Sequence, residues 1–81
     1  MRSRGAISAA EWRGFEDRVR VEAMALSPAA RVALGHMLGS LAEYAEQRAT
    51  ASLHAKKFVM FAYWKVVAVY ARHFRRLVRA A

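Results

Sequence analysis

The chain has 81 residues, 57% of them hydrophobic, no cysteine, and a formal charge of +8. That length allows one small domain, the lack of cysteine excludes disulfide staples and thiolate zinc sites, and the apolar content excludes a disordered chain. Regular helix packing or self-association is what remains to hold such a domain together.

The first residues, Met1 to Ile7, read as a flexible basic arm with Arg2 and Arg4, ahead of a single helical domain over 8–81. Arginines without an apolar run behind them do not make a secretory signal, so the cytoplasm is the expected compartment. Ser8-Ala9-Ala10-Glu11 has the form of a capping box, in which the serine hydroxyl accepts from the amide three residues on. Trp12, Phe15, Val19, Ala23 and Leu26 then recur every three or four residues, which predicts a short amphipathic helix over 9–25.

Ser27-Pro28 marks the next boundary. Proline disfavours the helical region for the residue before it and suits the first helical position, while Ser27 offers the cap oxygen. A long central helix is expected over 28–50, with Val32, Leu34, Met37, Leu38, Leu41, Tyr44 and Ala45 inward. Gly35 and Gly39 have small-xxx-small spacing, continued by Ala42 and Ala49, which predicts a close helix crossing and supports self-association. A break is expected within 50–57, with Thr50 or Ser52 able to cap a third helix over 53–79; the alternative is that the segment stays helical and the two helices merge into one rod. The fold class is therefore all-α: a three-helix chain, dimeric, with a long basic and aromatic-rich C-terminal helix.

"LSPAARVALGHMLGSLAEYAEQRA" resembles the second helix of archaeal histones in its serine cap, Ala30-Arg31, Leu34, Leu38, Leu41 and alanine run, with Lys56-Lys57 beyond. The resemblance spans about 30 residues and implies a helical dimer with a basic end. The chain departs from that pattern in a longer, more aromatic third helix and in lacking the family's loop glycine and threonine.

Charge is placed unevenly. Residues 1–46 hold six acids and six bases, which cancel, whereas the chain from Gln47 onward holds eight bases and no acid. At about 100° per residue, Val59, Met60, Tyr63, Val66, Val67, Tyr70, Phe74, Leu77 and Val78 share one sector of the third helix. Lys57, Lys65, Arg72, Arg75, Arg76 and Arg79 share the opposite one. The apolar run Phe58–Trp64 is far shorter than the ~20 residues of a membrane span, and a central lysine costs about 2.5–3.5 kcal/mol there.

A one-sided field of cations attracts phosphate. Nucleic acid is therefore the expected partner, bound without sequence readout through Arg48, Lys56, Lys57, Lys65, Arg72, Arg75, Arg76 and Arg79, with DNA and RNA both open. The alternatives are an adaptor docking its basic face on an acidic protein or larger assembly, and a helix lying on an anionic membrane surface. No enzyme activity, catalytic residue, cofactor, metal or small-molecule substrate is expected. His36, Ser40 and Glu43 share a face of one helix but offer no cavity, and His54 and His73 have no companion ligand at metal spacing.

Overall fold

The computed structural model describes residues 8–81, so the expected arm over 1–7 lies outside the described residues. Three α-helices follow in order: α1, Ala9–Met24; α2, Pro28–His54; and α3, Phe58–Ala80. The two predicted caps are present. The Glu11 amide donates to Ser8 Oγ at 3.1 Å and the Ala30 amide to Ser27 Oγ at 3.1 Å, with Pro28 opening α2.

The break between α2 and α3 falls later than Thr50 or Ser52 would have put it. Ser52 caps nothing: it is buried inside α2, and its packing outweighs its weak helix propensity. The helix stops where Lys56 adopts φ 60°, the left-handed region. There the Lys57 amide donates to the Ser52 carbonyl at 2.8 Å and the Lys56 amide to the Leu53 carbonyl at 3.0 Å. This is the Schellman pattern, with lysine where glycine is usual. Lys57 then begins α3 without a side-chain cap.

That turn sends α3 back antiparallel along α2. A constant register shows it: Gly35 lies beside Arg79 and Gly39 beside Arg75. The seam between the two helices is made of small residues, with Ala42, Ala45, Ala49 and Ser52 of α2 buried along with Ala68 and Ala71 of α3. Small side chains let the two backbones approach closely over their whole length, which is what the spacing of Gly35 and Gly39 required. The row is filled by the chain's own α3, and not by a second copy as its pattern first suggested.

Most of the broad apolar sector of α3 faces away from α2, with Val78 at its margin buried beside Pro28 and Val32. Ala68 and Ala71 lie on the flank between that sector and the arginines, and this flank meets α2. Instead α1 takes the C-terminal part of the apolar sector. Trp12 is the hub, with ring centroids 5.5 Å from Tyr70, 6.2 Å from His73 and 6.3 Å from Phe74, while Phe15 meets Phe74 edge-on at 5.7 Å. The N-terminal part of the sector stays open: Val59 is 83% exposed and Tyr63 55%.

With α1 and α2 on opposite flanks of α3, the helices form one layer, 42 × 37 × 12 Å between Cα extremes. The radius of gyration is 15.0 Å, against about 11 Å for a compact domain of this length. No large side chain is fully buried among the described residues. No helix among them is long and apolar enough to cross a membrane.

Candidate nucleic-acid interface

Helix periodicity puts Arg72, Arg75, Arg76 and Arg79 within one third of the circumference of α3, and the structure gathers them around one groove. The groove encloses about 330 Å³ and is lined by these four arginines and Val69. Packing on α2 raises two of its walls. Arg75 lies across Gly39, where a methyl group would stand 3.4 Å from the guanidinium carbon, and Arg79 lies across Gly35, where one would stand 3.6 Å from its Cγ. The glycines thus seat arginine side chains against the α2 backbone.

The eight expected contact residues divide into four groups. Lys65 and Arg72 are engaged by Glu46: Lys65 Nζ donates to both carboxylate oxygens at 3.1 and 3.2 Å, and Arg72 Nη1 to one at 3.3 Å. The hydrogen bond from Lys65, followed by the Lys65 charge and the Arg72 contact, holds the Glu46 carboxyl below the usual carboxylate range. Arg75, Arg76 and Arg79 pair with no carboxylate among the described residues. Arg75 is half-buried, and its Nε is buried without an acceptor among those residues.

Lys56 and Lys57 stand at the α2–α3 turn, about 30 Å along α3 from Arg76. Both occupy backbone positions that another residue would fill at lower cost, Lys56 in the left-handed region and Lys57 at an uncapped helix start. Arg48 does not join the face. It lies about 200° round α2 from Glu46, on the other side of the layer.

Glu46 is the site residue that charge counting missed. The tally assigned it to the balanced first half of the chain, whereas the fold sets it against the basic half. Only the antiparallel register of the structure, with Gly35 beside Arg79 and Gly39 beside Arg75, carries position 46 to the level of residues 65–72. A second carboxylate, Glu16, accepts from His73 Nε2 at 3.1 Å and ties α1 to the same side of α3.

His36 sits in a shallow cleft with Val32, Gly35, Arg75 and Arg79 rather than with an acid or a nucleophile. Among the described residues no three His, Asp or Glu side chains gather at metal-binding distance. Comparison with protein-family models, with curated proteins and with solved structures finds no match to this chain. The histone resemblance therefore stays confined to the sequence of α2.

Proposed function

We propose that this is a non-enzymatic, helical nucleic-acid-binding protein that holds phosphate through the arginine face of α3, without reading base sequence. The observation that carries the proposal is Arg75. Its guanidinium is half-buried and pairs with no carboxylate among the described residues, so an anion reaching it in the groove would offset the cost of that burial. Arg76 and Arg79 flank it in the same groove, and planar guanidinium forks match phosphate oxygens. The two turn lysines, kept at unfavourable backbone positions, add a second cationic point at the far end of the helix. Such contacts set position and affinity but carry no base information.

The test is fluorescence anisotropy on a labelled DNA duplex and a labelled RNA hairpin, titrated at several salt concentrations. Affinity falls linearly on logarithmic axes, and Arg76→Ala and Arg79→Ala each reduce the slope by about one. Arg48→Ala leaves it unchanged, because Arg48 faces away. Absence of salt-dependent binding to both nucleic acids at about 50 mM salt and 0.1 mM protein refutes the reading. An acidic protein surface is the other ligand this face suits, and a stoichiometric complex with such a protein, in the absence of nucleic-acid binding, would replace it.

A further inference from the structure

The layer has two unlike sides. On one lie the arginine groove, the Glu46 cluster and the Glu16–His73 pair. On the other, helical geometry anchored on the Phe15–Phe74 and Tyr44–Trp64 contacts places Phe15 of α1, Leu38 and Leu41 of α2, and Met60, Tyr63 and Phe74 of α3. The charged side chains on that side are, among the described residues, Arg48 of α2, two turns from Leu41, and Glu11, Arg18 and Glu22 of α1 around Phe15. Phe15, Leu41, Met60 and Tyr63 are all exposed there.

A domain needs a second layer to bury such a face. We infer that a second copy of this chain supplies it, packing apolar side to apolar side, so that the arginine grooves of the two copies point outward in opposite directions. The area fits. A rectangle of 42 × 37 Å encloses about 1,500 Å², so covering half of it matches the roughly 800 Å² per partner of a standard stable interface. The face is flat, so it is complementary to itself across a two-fold axis, as a paired interface must be. Charge points the same way: each chain carries +8, and stacking through the sides away from the arginine grooves keeps the two cationic faces as far apart as the fold allows. A lipid surface fits less well, because a layer lying apolar side down would lift its arginines away from anionic headgroups.

The inference is independent of the nucleic-acid reading, and its test uses the protein alone. Sedimentation equilibrium of the full chain at about 1–100 μM covers the range in which a standard interface associates. The expected result is a mass twice the 9.1 kDa of one chain. Leu41→Glu raises the dissociation constant about a hundredfold or more by burying a charge among the apolar side chains of the face. Val32→Glu, a more exposed position on the arginine side, leaves the pair intact. Single-chain mass for the wild type throughout that range overturns the inference, whether or not the variants fold. So does a wild-type pair that both Leu41→Glu and Tyr63→Glu leave unchanged. If the wild-type chain stays single and floats with neutral phosphatidylcholine vesicles, lipid covers the face instead.

Discussion

Replacing Glu46 by glutamine gives the most direct view of how the arginine face is held in check. Glutamine keeps the shape of the side chain and removes its charge, so Lys65 and Arg72 lose the carboxylate they share at 3.1–3.3 Å. If both cations then reach phosphate, the slope of log affinity against log salt steepens by about 1.8, two contacts at about 0.9 each. Between about 50 and 200 mM salt, affinity then falls roughly tenfold further than in the wild type. Anisotropy titrations of the two proteins on one duplex measure this. Adding Lys65→Ala to the glutamine variant removes about half of the gain, which assigns the effect to the freed cations. Glu46 is exposed enough that the ion pairs add little to stability, so the melting temperature serves as a control and shifts only slightly. Identical slopes for wild type and Glu46→Gln would show that Lys65 and Arg72 never face the polyanion, and the face would shrink to Arg75, Arg76 and Arg79.

Three further outcomes follow from the fold. Lys56→Gly relieves a left-handed backbone conformation that costs a residue bearing a Cβ about 1–2 kcal/mol, partly offset by the greater freedom of glycine in the unfolded chain. Denaturant unfolding should show a net gain of about 0.5–1 kcal/mol, and a loss would contradict the Schellman turn. Trp12→Ala removes the hub of the α1–α3 contact at a cost of about 2–3 kcal/mol. Hydrogen exchange should then quicken throughout α1 while the α2–α3 seam stays protected; uniform loss would show that α1 and the hairpin unfold as one unit. In acid the sign is set by Glu46. Its folded pKa lies below its unfolded one, so its contribution to stability is complete above the ordinary carboxylate range and is lost as pH falls through the depressed value. Thermal melts of wild type and Glu46→Gln should therefore converge in strong acid, and a pH-independent gap would rule out the pairing.

The histone resemblance and the expected self-association both rested on α2, and the structure separates them. α3, with 23 residues against 27 in α2, runs the length of its neighbour and uses up the glycine row that had suggested contact between copies. The self-association proposed above uses a different face, made of other residues. The pattern of small residues marked close approach correctly without saying which helix approaches.

By itself the sequence determined the starts of α1 and α2, the all-α class and the segregation of cations along α3. Each of these depends on groups within a few residues of one another: a serine hydroxyl and an amide three positions on, a proline ring against its neighbour, a 100° advance per residue. Only the tertiary structure decided which flank of α3 meets α2, that Glu46 restrains Lys65 and Arg72, and that no large side chain among the described residues is fully buried. Those outcomes compare alternatives across 19 to 57 positions. A seam of alanines with close backbones won over the broader apolar sector because small side chains allow contact along the whole length of two long helices.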